Sequence, residues 1–247
     1  MMEALVLGCG EAFDERLPNT SILLRAPGLA ALLDCGYSAP PRVFASAGPE
    51  DIDLIYISHA HADHYFGLPA VLGRWWEDGR TKPLTILSQP AVIDQIKDIL
   101  EYGYRTLPAR FKHPIDYVAA RAGETLESHG ARFRFAATRH SVTNLAIRVE
   151  AAGKVVCLSG DGMFTDESAA LFAGADLVFH EAFSFEASPV HTDIDALLAM
   201  AAGAGVGRLA LTHVQRKVRL ARARIDDAMK AAAVKAIMPE PGDSIGA

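Results

Sequence analysis

Residues 58 to 64 read Ser-His-Ala-His-Ala-Asp-His. By residue type and spacing, His59, His61, Asp63 and His64 form a metal-ligand cluster. His59 and His61, two residues apart, suit one ion, while Asp63 and His64 can reach a second. Histidine with aspartate favours zinc, manganese or iron, and water on such ions becomes a nucleophile near neutral pH. The chemistry implied is hydrolysis on two divalent cations, with zinc the expected metal and manganese or iron the alternatives.

A polar surface loop that merely collects some of the chain's nine histidines is the bland alternative. The apolar run Ile52-Asp53-Leu54-Ile55-Tyr56-Ile57 in front of the cluster argues against it, because the end of a buried strand can turn sharply with ligands in place. Strands are expected at Glu3 to Leu7, Ser21 to Arg25, Ala30 to Asp34, Asp53 to Ser58 and Leu84 to Ser88. A second block is expected at Ala131 to Ala137, Asn144 to Glu150, Lys154 to Ser159, Leu177 to His180 and Arg208 to Thr212. Helices are expected at Gly67 to Trp76, Ala91 to Tyr102, Thr192 to Ala202 and Arg222 to Lys235. Two blocks of strands with few helices predict two sheets packed face to face and helices outside them. The polar clusters His59 to His64, Arg139-His140, Gly160-Asp161, His180-Glu181 and Thr212-His213 each fall at the end of an expected strand, so their loops should meet along one edge.

The chain has 247 residues, half of them apolar, which suffices for one sizeable core and predicts one domain over 1–247. No run of eighteen apolar residues suggests a membrane span, and the N-terminus lacks the basic region of a signal peptide, so a cytoplasmic address is expected. Cys9, Cys35 and Cys157 are odd in number and widely spaced, as reduced buried thiols would be. A net charge of -6 excludes a general attraction to nucleic acid, leaving Arg216, Lys217, Arg219, Arg222 and Arg224 as the one evident anion-binding stretch.

Taken together, these motifs resemble the metallo-β-lactamase superfamily, a four-layer αβ/βα sandwich, over nearly the whole chain from Leu7-Gly8-Cys9-Gly10 to Leu211-Thr212-His213. The resemblance implies that His59, His61 and His140 hold one metal, Asp63, His64 and His213 the other, and that Asp161 in Leu158-Ser159-Gly160-Asp161-Gly162 bridges them. Arg139-His140-Ser141, Phe179-His180-Glu181-Ala182 and His191-Thr192 are similar to the phosphodiesterase branch, which includes ribonuclease Z. That branch implies a metal-bridging hydroxide as nucleophile and His191 as general acid or transition-state contact; Glu181 is expected to accept a hydrogen bond from His191 or from a ligand imidazole. Asp63, a ligand, is counted with the reacting groups as well.

Only a short segment separates His140 from Asp161, with no room there for the tRNA-gripping arm of ribonuclease Z. Small or single-stranded phosphodiesters are therefore the expected substrates, with tRNA retained as a weaker candidate. The compact size is also similar to the cyclic phosphodiesterase of phosphonate breakdown. An ester, thioester or lactone hydrolase on the same metals, an iron redox protein and a binding-only protein are the competing readings. Gly8-Cys9-Gly10 lacks the third glycine of a dinucleotide turn, since Phe13 stands there, and is expected to be a tight turn beside the metals. Asp34-Cys35-Gly36 is expected to play a similar structural part. Trp75-Trp76 is expected to serve helix packing or a homodimer contact before base stacking.

Overall fold

The computed structural model covers residues Met1–Ala247. Strands β1 (Glu3–Gly8), β2 (Ser21–Ala26), β3 (Leu29–Leu33), β4 (Leu54–Tyr56), β5 (Leu84–Ser88) and β6 (Ile115–Ala119) run across one sheet in chain order. Strands β7 (Thr125–Ser128), β8 (Ala131–Thr138), β9 (Asn144–Ala151), β10 (Lys154–Leu158), β11 (Leu177–Glu181), β12 (Leu209–Thr212) and β13 (Ala236–Ile237) form the second. The chain then returns, and β14 (Ser244–Gly246) pairs antiparallel with β1 at the edge of the first sheet.

Apolar residues on successive positions of a strand face opposite ways, and here both ways lead to a core. On β2, Ile22 and Leu24 join Phe133, Phe135, Ile147 and Phe179 between the sheets. Leu23, from the same strand, packs outward with Leu32, Leu68, Leu72 and Ile96. Helices α1 (Pro40–Ser46), α2 (Ala62–Tyr65), α3 (Leu68–Glu77) and α4 (Pro90–Gly103) are associated with the first sheet. Helices α5 (Asp166–Phe172), α6 (Ile194–Gly203), α7 (Arg216–Arg219) and α8 (Arg222–Ala231) are associated with the second, over a core including Val178, Leu197 and Leu211. The result is the expected four-layer sandwich. No helix is long and apolar enough to cross a membrane.

Four strands and four helices escaped the sequence reading. Strands β6 and β7 are only partly buried, so they carry no strong apolar pattern. Helix α5 had a legible start, a reciprocal cap between Thr165 and Ser168. Helix α8 stops at Ala231 and not at Lys235, because the backbone turns extended at Ala232 and the chain continues into β13, which pairs with Leu209 and Ala210.

Strands β3 to β6 are mutually parallel, and so are β10 to β13. Their carboxyl ends therefore emerge together on each sheet, the position where open α/β sheets bind ligands.

Candidate metal centre

Asp34 follows directly on β3 and is wholly buried. One carboxylate oxygen, Oδ1, accepts the backbone N–H of Ser58 at 2.8 Å. The other, Oδ2, accepts the Ser58 hydroxyl at 2.8 Å and faces His64 Nδ1 at 2.9 Å. Each of those bonds fixes a tautomer. A carboxylate can only accept, so His64 Nδ1 carries the proton and Nε2 is left with a lone pair. With its own proton on Asp34, the Ser58 hydroxyl accepts from His59 Nδ1 at 3.0 Å, and His59 Nε2 is likewise left free. His140 Nδ1 lies 2.9 Å from the carbonyl of Val190, which again leaves Nε2 as the donor atom.

The free nitrogens converge. His61 Nδ1 lies 3.1 Å from His59 Nε2 and 3.2 Å from His140 Nε2. Beside this trio, His64 Nε2 and His213 Nε2 each lie 3.2 Å from Asp63 Oδ2. Asp161 stands between the two groups: Oδ2 is 3.8 Å from His59 Nε2, 3.9 Å from His140 Nε2 and 3.4 Å from His213 Nε2, while Oδ1 is 3.3 Å from His64 Nε2. Two four-residue donor sets result, His59, His61, His140 and Asp161, and Asp63, His64, Asp161 and His213. Within each set the donor atoms lie no more than 4.8 Å apart.

This donor chemistry fits a divalent cation in each set. His64 Nε2 and Asp161 Oδ1 are buried, 3.3 Å apart and without a well-formed hydrogen bond, and a cation between converging imidazole nitrogens and carboxylate oxygens would satisfy both. Burial and the neighbouring imidazoles push His59 well down and His61 down, keeping both in the neutral form that ligates. Burial opposes charge on His213 too, but Asp161 and Asp63 outweigh it and raise the imidazole to about 9. Burial would raise the Asp161 carboxyl, yet His213 and His64 hold it well below the usual range. The second set is thus strongly anionic and takes up protons that a cation would replace.

The loops have little freedom to move. His61 precedes α2 in extended conformation, so Asp63 and His64 ride on the first helical turn. The side-chain amide of Asn144 donates to Thr138 Oγ1 and to the carbonyl of Ser159, and its oxygen accepts from the Asp161 N–H at 3.2 Å. Gly160 has φ +62, and a Cβ there would sit 2.2 Å from Asn144 Oδ1.

Glu181 ends β11 without any exposed surface. It accepts the backbone N–H groups of Gly162 at 2.9 Å and Thr192 at 3.0 Å, and His191 Nδ1 at 2.9 Å. His191 Nε2 is thereby left available, with its ring 5.2 Å from that of His140 and stacked on Phe183 at 4.2 Å. Burial works against protonation of His191, but the Glu181 bond prevails and raises its pKa.

All nine sequence-selected residues therefore gather at one edge. Two members of the expected polar clusters do not. His180 turns away, with Nδ1 on the carbonyl of Glu181 and its ring against Phe172, and Arg139 points its guanidinium at Met163. Asp34 was expected to shape a turn only; its side chain instead orients His64 directly and His59 through Ser58. The clue was available, since a carboxylate following Leu32-Leu33 repeats the pattern of a strand ending in a functional residue. Gly8-Cys9-Gly10 lies beside the site as expected, its Cys9 carbonyl accepting the His213 N–H. Trp75 is core and Trp76 bonds to the carbonyl of Arg110, so intramolecular packing accounts for both.

Ribonuclease Z of Methanothermobacter thermautotrophicus is 29% identical, over 89% of this chain and 88% of that protein. Among solved structures, the metallo-β-lactamase fold protein YhfI from Bacillus subtilis superposes with a TM-score of 0.84 at 21% identity, covering 99% of this chain and 98% of that one. A diphosphatase from the PhnP family superposes at 0.76 with 17% identity, covering 100% and 98%. The family described as Anti-Pycsar protein Apyc1 matches residues 2–231. The chain belongs to that family, on the ribonuclease Z-like branch of the metallo-β-lactamase superfamily.

Proposed function

We propose that this metal-dependent hydrolase is a cytoplasmic phosphodiesterase that uses two zinc ions to cleave small or single-stranded phosphodiesters, cyclic phosphates included. The observation that carries the proposal is the pair of donor sets sharing Asp161, with the His191–Glu181 pair beside them. In this reading His59, His61 and His140 hold one ion, and Asp63, His64 and His213 the other. Divalent ions bound there supply activated water, ligation of the phosphoryl oxygens and neutralisation of developing charge. Glu181 fixes the tautomer and direction of His191, whose Nε2 delivers a proton to the leaving oxygen. Asp63 and Asp161 keep the site negative enough to retain two cations while the diester anion approaches.

Substrate size is argued from the connection between His140 and Asp161. It is little more than β9, the turn at Ala152-Gly153 and β10, with Ile147–Ala151 paired to Lys154–Leu158, which supports the absence of a tRNA-gripping arm in that segment. The matching family is described as an anti-Pycsar protein and not as a tRNA nuclease, which favours the same reading. The test is kcat/KM for the metal-loaded protein on a cyclic nucleotide, a short single-stranded oligonucleotide and a precursor tRNA carrying a trailer, at one fixed salt concentration. The two small substrates should be preferred. Position-specific trailer removal with weak activity on them would make the protein a compact tRNA-processing nuclease, and no turnover of any diester would refute the phosphodiesterase reading.

A further inference from the structure

Three contacts hold the His191 imidazole, and only one of them is a hydrogen bond. Glu181 accepts from Nδ1 at 2.9 Å, the His140 ring stands across it at 5.2 Å and 65°, and the Phe183 ring lies along its face at 4.2 Å and 16°. Glu181 is wholly buried, whereas the imidazole keeps 22% of its side-chain surface exposed, so part of the ring is open to the cleft. A single hydrogen bond leaves a ring free to swing about the line of that bond, and the swing sweeps Nε2 through an arc. The backbone on either side is pinned, with the Val190 carbonyl against His140 Nδ1 and the Thr192 N–H on Glu181, but those bonds do not reach the torsions of the His191 side chain. Phe183 is itself fixed on both sides. Its N–H donates to the carbonyl of Thr192 at 3.0 Å and its carbonyl accepts the N–H of Gln215 at 3.0 Å. Ala182 packs outward with the core under the helices, so Phe183, two residues beyond Glu181, falls on the same side as that carboxylate.

We propose that Phe183 is a positioning residue for proton transfer: its ring stops the swing of the His191 imidazole and keeps Nε2 directed at the leaving oxygen. The proposal rests on the phosphodiesterase reading and adds to it the device that aims the proton donor. In the step concerned, the attacking hydroxide oxygen bonds to phosphorus, the bond from phosphorus to the leaving oxygen breaks with its electron pair on that oxygen, and the Nε2 proton passes to it. Transfer requires Nε2 within hydrogen-bond reach of that oxygen, and a small misplacement of a reacting group is costly. Two nearly parallel aromatic rings favour a defined relative orientation, a preference that an aliphatic side chain lacks. The stack therefore supplies the angular restraint that the Glu181 bond does not.

The test uses the full-length, metal-loaded protein with Phe183→Leu, which keeps an apolar side chain but not the flat face, and Phe183→Tyr, which keeps both. Two diesters are compared: a cyclic nucleotide, whose leaving alkoxide needs a proton, and bis-p-nitrophenyl phosphate, whose phenolate departs without one. Phe183→Leu should lower kcat on the cyclic nucleotide by about three- to tenfold, the worth of one stacked ring pair. KM, metal content and kcat on bis-p-nitrophenyl phosphate should be unchanged, and Phe183→Tyr should behave as wild type. Added to His191→Ala, Phe183→Leu should cost nothing further, because a residue that acts only through His191 then has nothing to position. No loss on the cyclic nucleotide, an equal loss on both diesters, or a full loss on top of His191→Ala overturns the proposal. Relaxation of isotope-labelled histidine rings decides without turnover: the His191 ring should be more mobile in Phe183→Leu and not in Phe183→Tyr, and equal mobility in all three proteins overturns the proposal. If the wild type hydrolyses no diester, the phosphodiesterase reading fails by itself, and ring mobility alone decides whether Phe183 holds His191.

Discussion

Substituting Asp34→Asn probes the hydrogen-bond chain beneath the metal centre with little steric disturbance. Asp34 has φ +57, a left-handed conformation that asparagine accepts and alanine resists, so Asn isolates the chemistry from the backbone. The carboxylate accepts from three donors, Ser58 N–H, Ser58 O–H and His64 Nδ1–H. An amide can replace only one oxygen by NH2. Facing the Ser58 N–H, that NH2 would set two donors against each other, and a backbone N–H cannot change its role. The NH2 must therefore take the Oδ2 position. His64 can meet it only by moving its proton from Nδ1 to Nε2, the nitrogen needed for a cation. Ser58, deprived of its acceptor, then turns its own proton toward His59 Nδ1 and forces the same exchange there.

Partners of this kind are worth about 10- to 100-fold in metal affinity, or roughly 1.4 to 2.7 kcal/mol at each site. We expect both metal dissociation constants to rise in that range by competitive chelator titration. The set containing His64 should lose more, since its contact with Asp34 is direct. Unfolding should become easier by about 2 kcal/mol, through loss of hydrogen bonds to a buried charge. Metal affinities within twofold of wild type, in a folded Asp34→Asn protein, would refute the tautomer argument.

His191→Ala should leave the metal content intact and lower kcat on a diester by about 100-fold, the low end for general acid catalysis; metal loss in this variant would make His191 part of the donor shell. Gly160→Ala should cost several kcal/mol and deplete metal, because its Cβ must displace Asn144 Oδ1 and Ser58 at a left-handed backbone position; a melting temperature equal to wild type would show that the Asp161 loop is softer than it looks. Glu150 has its pKa lowered by hydrogen bonds from Arg148 and Arg134, against burial. A depressed carboxylate stabilises above its unfolded pKa, about 4.3, and that stability is lost as pH falls through the lower folded value. Glu150→Gln should therefore cost about 1 kcal/mol or less at pH 7, given partial exposure, with the difference closing as the pH falls below about 4 in urea titrations.

The fold and the ligand set were legible to different degrees for different reasons. His59, His61, Asp63 and His64 are local, so type and spacing sufficed. His140, Asp161 and His213 each follow an apolar strand, but it was the family resemblance that singled them out as ligands; the parallel ends of β10 and β12, on either side of β11, bring Asp161 and His213 to one edge. The hydrogen bonds that Asp34 accepts from Ser58 and His64 span 24 and 30 residues, and nothing local in the chain announces them. The basic stretch was equally opaque. Its five cations look alike in sequence, and only folding shows that Arg216 meets Glu11 from 205 residues away while Lys217 and Arg224 remain unpaired.

That Glu181 and not His180 reaches the cleft follows from strand geometry alone. On β11, Leu177 and Phe179 face between the sheets, whereas Val178 packs outward under the helices. Successive side chains alternate, so Glu181 continues the inner face and His180 the outer one. The inner face opens, past the last strand residue, onto the cleft where His191 and the metal donors stand. An imidazole one position earlier is thus excluded from that cleft however suitable its chemistry, and a carboxylate arrives there to receive the N–H groups of Gly162, Thr192 and His191. On β12, Ala210 faces inward and Leu209 and Leu211 outward, so Thr212 completes the inner face. The chain then turns through His213 at φ +53, and that turn brings the imidazole to Asp63 and Asp161. Residue type proposes the ligands of such a centre, but the period of two in each strand decides which of two neighbouring candidates can reach it.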